Sequence, residues 1–138
     1  MNMRHYIIVL IFISLYSCNS GGKANCKKKT IEVTATAYNS LAYQTNSNPT
    51  ITAFGDRLKP GLRYIAVSRD LLDSGLVHNI KVKIEGFDSL FIVKDKMNRR
   101  WRKRIDIYMG NDVEKAKEWG KKKVNIEYCL SVADSISK

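Results

Sequence analysis

Apolar and polar residues alternate in several short runs, and this period-two pattern constrains the chain more than any other feature. Ile80–Glu85 (IKVKIE) places Ile80, Val82 and Ile84 on one face and Lys81 and Lys83 on the other. Thr30–Tyr38 (TIEVTATAY) repeats the pattern with Ile31, Val33, Ala35 and Ala37. Side chains alternate across a strand, so these runs read as half-buried strands. Four more segments read as strands: Tyr64–Val67, Ser89–Lys94, Arg104–Met109 and Val124–Cys129. One helix interrupts them. Asn111-x-x-Glu114 resembles a capping box, Val113, Ala116 and Trp119 share one face, and Gly120 is a natural stop. Residues 39–63 form a long polar loop with turn signals at Asn48-Pro49 and Lys59-Pro60-Gly61. Six or so short strands and one small helix, with no βαβ period, predict a mainly β, compact barrel. The 138 residues suit one domain, spanning 31–130, and 44% apolar content is enough for a packed core.

The N-terminus predicts export. Arg4 supplies a positive start, and Tyr6–Tyr16 form an apolar run of 11 residues, short of the ~20 needed to span a membrane. Leu15-Tyr16-Ser17-Cys18 resembles a lipobox, which makes 1–17 a lipoprotein signal peptide and Cys18 the lipidated residue. The alternative is an ordinary signal peptide or short anchor with a chance cysteine. Residues 18–30 read as a polar tether, its lysines either against an anionic membrane face or simply solvated. Residues 131–138 read as a C-terminal tail. Cys26 and Cys129 are left as a pair, which in an oxidising compartment suggests a disulfide; two independent buried thiols are the equal alternative. The expected location is membrane-anchored and facing the periplasm.

The charge is lopsided, with 24 Lys and Arg against 13 Asp and Glu, a net of +11. That implies an anionic partner or surface. For an exported chain, lipid headgroups and cell wall fit better than nucleic acid. Two histidines and three scattered cysteines exclude a zinc finger or a His-rich metal site. Neither GxGxxG nor GxxxxGK[ST] occurs, so no nucleotide cradle and no other cofactor is expected.

The densest segment is Lys94–Asp106 (KDKMNRRWRKRID), which holds seven of the 24 basic residues. Asp95 closes one strand-like run and Asp106 lies inside the next. If those strands are close, both carboxylates approach one cleft, the minimum for acid/base work on a glycosidic bond. The alternative is a set of ion pairs on a solvated face. Arg99, Arg100 and Arg102 around Trp101 suit a wall glycan, with the ring on a sugar face and guanidiniums on carboxylates. A solvated basic loop is the plainer reading. Tyr38 is placed either at the groove or in the core, and His78 in a loop or at the surface.

Several stretches in collinear order across residues 33–128 resemble the 3D domain family, named for three aspartates. The family is related to the C-terminal part of membrane-bound lytic transglycosylase A and to stationary-phase muralytic proteins. The matching stretches are Ala35-Thr36-Ala37-Tyr38, Thr52-Ala53-Phe54-Gly55, Ile65-Ala66-Val67-Ser68, Phe91-Ile92-Val93-Lys94-Asp95 and Ile105-Asp106-Ile107-Tyr108, followed by Trp119-Gly120 and Val124–Tyr128. The resemblance implies a six-stranded double-psi β-barrel, peptidoglycan as ligand, and lytic cleavage between N-acetylmuramic acid and N-acetylglucosamine. It implies Asp106 as the acid/base and Asp95 as its support. Ser68 stands at the family's first aspartate, and Asp70 takes that place if the strand continues. A non-catalytic barrel that binds glycan or an envelope partner is the second reading. The basic run adds a physical demand. A general acid needs a raised pKa, nearby cations lower it, and burial must outweigh them.

Overall fold

A computed structural model describes residues 26–40 and 50–131. The stretch read as a signal peptide, Cys18, most of the stretch read as a tether, the Asn48-Pro49 turn signal and residues 132–138 lie outside the described residues. Six strands follow in order: β1 (Cys26–Tyr38), β2 (Tyr64–Val67), β3 (Lys81–Ile84), β4 (Leu90–Lys96), β5 (Arg104–Tyr108) and β6 (Lys122–Ser131). Two short helices join them, α1 (Arg69–Leu72) and α2 (Val113–Trp119).

Each expected strand is present; Tyr64–Val67 keeps its bounds and the other five have shifted ends. β1 begins at Cys26, inside the stretch read as tether, because residues 26–30 pair antiparallel with the far end of β6, from Cys26↔Ser131 onward. The lysines there do not oppose this, since the pairing is carried by backbone groups and Lys27 and Lys28 stay exposed. A disulfide joins Cys26 to Cys129 across the same ladder, with 103 residues between them in sequence. α2 is capped by Asp112 rather than Asn111. The Asp112 carboxylate accepts from the Lys115 N–H at 2.9 Å, and Gly120 ends the helix at φ 64°. α1 was not expected, as four residues are too few to show a helical period.

The strands close into a barrel in the order β1-β5-β2-β4-β3-β6. β1–β5 and β2–β4 are parallel pairs, and the other four pairs are antiparallel. Consecutive strands β1 and β2 are separated by β5, and β4 and β5 are separated by β2. Each of these crossovers therefore spans a strand of the other half, and the two interlock. Exchanging β1 with β4, β2 with β5 and β3 with β6 returns the same ring and the same pair orientations. This is the double-psi β-barrel.

The interior is filled by one side of every strand. Val33, Ile65, Val82, Val93, Ile105 and Ile126, one per strand, are fully buried. Burial of this apolar set at roughly 25 cal/mol per Å² is the main term holding the barrel closed. Because alternate residues point inward, Thr34, Thr36, Ala66, Arg104 and Asp106 lie on the outer wall. The disulfide adds a further constraint on the unfolded chain. Its removal by Cys129→Ser should lower stability by about 4–5 kcal/mol in the loop-closure model. Denaturant titration of both forms checks this, and an unchanged midpoint would refute it.

Candidate active site

Strand register builds one row of outward residues across four neighbouring strands. Thr36 on β1 pairs with Asp106 on β5, Asp106 pairs with Ala66 on β2, and Ala66 pairs with Asp95 on β4. Asp106 and Asp95 are thus two strands apart, roughly 10 Å between Cα atoms at ~4.8 Å per strand. Only the small Ala66 stands between them.

Asp95 reaches this row through a bulge. Ile65 faces Val93, but the next residue, Ala66, faces Asp95, so β4 holds one extra residue there. Val93 is fully buried, and plain alternation would turn Asp95 inward as well. The bulge re-aims it. The Asp95 carboxylate then accepts from the Ala53 N–H at 2.7 Å and the Lys96 N–H at 2.8 Å, both on Oδ1. Among the described residues Oδ2 has no hydrogen-bond partner. Burial pushes the Asp95 pKa up, opposed by those two N–H groups and the Lys96 ammonium.

Asp106 accepts from the Thr36 hydroxyl at 2.9 Å on Oδ1, and among the described residues its Oδ2 has no hydrogen-bond partner. Burial pushes its pKa up to about 6, against the Thr36 hydrogen bond and the Arg104 guanidinium, with the Asp95 charge adding to the rise. Burial therefore outweighs the cations beside it, the condition the sequence left open. Tyr38 stands two residues beyond Thr36, its ring 5.4 Å from that of Tyr108. Its hydroxyl is buried and has no partner among the described residues. Burial, then the Asp95 and Asp106 charges, drive its pKa upward, so it remains a neutral donor.

The turn Thr52–Asp56 forms the wall beside Asp95. Its hydrogen bonds are Thr52 N–H to the Asp56 carbonyl at 2.9 Å, Asp56 N–H to the Thr52 hydroxyl at 3.0 Å, and Gly55 N–H to the Thr52 carbonyl at 2.9 Å. Gly55 sits at φ 88°, where a Cβ would be strained. The turn is braced from behind by Asp56, which holds His78 at 2.5 Å and Lys94 at 2.8 Å. The Lys94 hydrogen bond leads in lowering the Asp56 pKa; His78 helps, and burial opposes both. Phe54 stacks on His78 with centroids 4.8 Å apart. His78 thus lies in the turn between α1 and β3, as the sequence suggested, but it is half-buried and bonded rather than free. Nothing in the sequence ties Asp56 to His78 and Lys94, because the three come from separate segments.

Other expected residues fall elsewhere. The strand does not continue past Val67, because α1 starts at Arg69, so Asp70 does not join the carboxylate row. Its carboxylate accepts from the Lys103 N–H at 2.9 Å. Burial would raise the Asp70 pKa, but that bond, the Ser68 hydroxyl and Arg102 together hold it low. Ser68 is fully buried, and its hydroxyl accepts from the Arg104 N–H at 3.0 Å. It therefore pins the end of the β4–β5 loop. Trp101 is not an open platform, as the Arg104 guanidinium lies 3.8 Å and that of Arg100 4.8 Å from its ring centre. Arg99, Trp101 and Arg102 instead line a cleft with Arg69, Asp70 and Asp73. Among the described residues no group of three or more His, Cys, Asp or Glu is placed to hold a metal ion.

No family model matches the chain, and no curated protein matches it. Among solved structures it is similar to the apo form of a Clavibacter michiganensis expansin, with 17% identity and a TM-score of 0.45. The match covers 74% of this chain and 50% of that one. A point variant of the same expansin in complex with cellohexaose matches to the same extent. The chain therefore spans half the length of these expansin chains.

The Thr36 hydrogen bond favours the ionised form of Asp106. Thr36→Val should raise the Asp106 titration further, read by carbon NMR of the carboxyl group. A titration that stays put or moves down would show that Thr36 does not set it.

Proposed function

We propose that the protein is an exported lipoprotein that cleaves peptidoglycan lytically, between N-acetylmuramic acid and N-acetylglucosamine, with Asp106 as the acid/base. The observation that carries the reading is Asp106 itself. It is a carboxyl raised to about 6 by burial, with one oxygen unbonded among the described residues, in one row with Asp95. The collinear motifs of the 3D domain support the same chemistry and the same residue.

A lytic mechanism needs one proton-shuttling carboxyl. Protonated Asp106 donates to the glycosidic oxygen as the bond from that oxygen to muramic C1 breaks. The sugar's own 6-hydroxyl then attacks C1, and Asp106 takes back the hydroxyl proton. The product is a 1,6-anhydro sugar, no water is consumed, and Asp106 ends protonated as it began. Asp95, held by two backbone N–H groups, supplies a fixed negative charge that opposes ionisation of Asp106 and faces positive charge developing at C1. Tyr38 offers a neutral O–H donor to a substrate oxygen. Arg104 is steadied against Trp101 and faces an acidic substrate group.

A second reading is a barrel that binds wall glycan without cleaving it. One observation favours it: buried Ser68 replaces the family's first aspartate, so that corner brings no third carboxylate to the row.

Digestion of purified sacculi by the detergent-solubilised protein separates the two. Anhydro-muropeptides in the wild type and their loss in Asp106→Asn are expected. Glycan binding with no such product at any pH would leave the binding barrel.

Donation requires protonated Asp106, so kcat/KM should fall about tenfold per pH unit above about 6. Stability follows the same group. The folded pKa lies above the unfolded value of ~3.9, so the folded state binds more protons between those two values. The stabilising contribution is complete below pH ~4 and is lost as pH rises through the folded pKa. Asp106→Asn should therefore gain about 1–3 kcal/mol at pH 8 and nothing below pH ~4. Thermal melts across pH check it; a variant less stable at pH 8 would contradict the burial argument.

A further inference from the structure

Beside the acid row lies a second polar site with different chemistry. Arg69, Asp70 and Asp73 from the α1 segment face Arg99, Trp101 and Arg102 from the β4–β5 loop across a cleft of about 210 Å³. Its two walls are fixed to each other. Lys103 N–H donates to Asp70 Oδ2 at 2.9 Å, Arg104 N–H donates to the Ser68 hydroxyl at 3.0 Å, and Ser68 N–H donates to the Arg104 carbonyl at 2.9 Å.

Three guanidiniums and two carboxylates line one small space, yet among the described residues no two of them form a direct ion pair. Two of their atoms, Arg69 Nε and Asp70 Oδ1, are buried and have no hydrogen-bond partner there. Buried donors and acceptors are rarely left unpaired, since each unpaired one costs about 1–3 kcal/mol. One orphan is a donor and the other an acceptor. A ligand that satisfies both must carry both complements.

Charge narrows the class. A polyanion such as phosphate would meet Asp70 and Asp73, and a simple cation would meet Arg69, Arg99 and Arg102. A neutral sugar would desolvate five charges without pairing them. A small group bearing a carboxylate and an ammonium satisfies both signs. The volume is below the usual ~300–1,000 Å³ of a ligand pocket, which suits one amino-acid-sized group.

We propose that this cleft binds the zwitterionic end of an amino acid, specifically the free end of the diamino acid on a peptide stem. The carboxylate pairs with Arg99, Arg102 and the Arg69 Nε–H; the ammonium pairs with Asp70 Oδ1 and Asp73. The choice of a peptide stem as the source rests on the peptidoglycan reading above, whereas the zwitterion chemistry stands on the cleft. The position suits a stem next to a cleaved strand. Arg104 leans on Trp101, which lines the cleft, and Arg104 lies two residues from Asp106 on the same outer face of β5. That spacing is roughly 6.5–7 Å along the strand. The cleft would then select stems whose diamino acid is uncrosslinked, because crosslinking consumes the ammonium.

Calorimetry with the full-length protein in detergent tests this. The probes are the tripeptide L-Ala-γ-D-Glu-meso-diaminopimelate, the same peptide acetylated on its free amine, and peptide-free glycan chains. The tripeptide should bind, and acetylation, Asp73→Asn or Arg99→Ala should each weaken it about tenfold. Asp73 and Arg99 are exposed, so these variants should fold as the wild type does. No tripeptide binding, or binding indifferent to acetylation and to both substitutions, overturns the proposal. Sacculus cleavage without tripeptide binding would sink the cleft assignment alone. Tripeptide binding without any anhydro product would sink the lytic reading alone.

Discussion

The antiparallel pairing of β2 with β5 sets Ala66 opposite Asp106, and the two interlocking crossovers meet around that pair. β2 separates β4 from β5, and β5 separates β1 from β2. The four strands β1, β5, β2 and β4 are therefore forced side by side although they come from distant parts of the chain. Everything in the carboxylate row follows from that adjacency. Thr36, Asp106, Ala66 and Asp95 are neighbours because the ring order places their strands side by side and the register, with the bulge in β4, aligns them; Ala66 is small enough to keep the space between the acids open.

Competition between burial and charge decides what Asp106 is able to do. Seven basic residues lie within residues 94–104, enough on paper to hold any nearby carboxyl ionised. The fold disperses them. Lys94 is taken up by Asp56, Arg99 and Arg102 line the α1 cleft, and Arg104 rests on Trp101. Arg104 is the cation that acts on Asp106, and desolvation exceeds it. The same loop therefore carries its positive charge without holding Asp106 ionised.

Much of the barrel was legible in the sequence. Val33, Val82 and Ile126 lie in alternating runs, and alternation is a local consequence of strand geometry. Tyr64–Val67 was found at its true bounds because all four residues are apolar or nearly so. The misses share a cause. α1 is shorter than the period that would reveal it, the lysine-rich start of β1 is strand only because β6 pairs with it, and Asp112 displaced Asn111 as the cap by one residue of local geometry. Asp56, His78 and Lys94 carry no common motif, so their cluster had no signal to find.

The sequence by itself determined a chain of short alternating strands, a paired-cysteine pattern, and two aspartates at the ends of a basic run. These are local or compositional facts. Only the tertiary structure decided that Asp95 and Asp106 share a row, because that depends on a one-residue bulge and on β2 lying between their strands. It also decided that Asp70 serves a separate cleft, because the chain turns into α1 directly after Ser68. Above all it decided the protonation of Asp106, which is set by how much water the packed wall excludes, a quantity that no residue list contains.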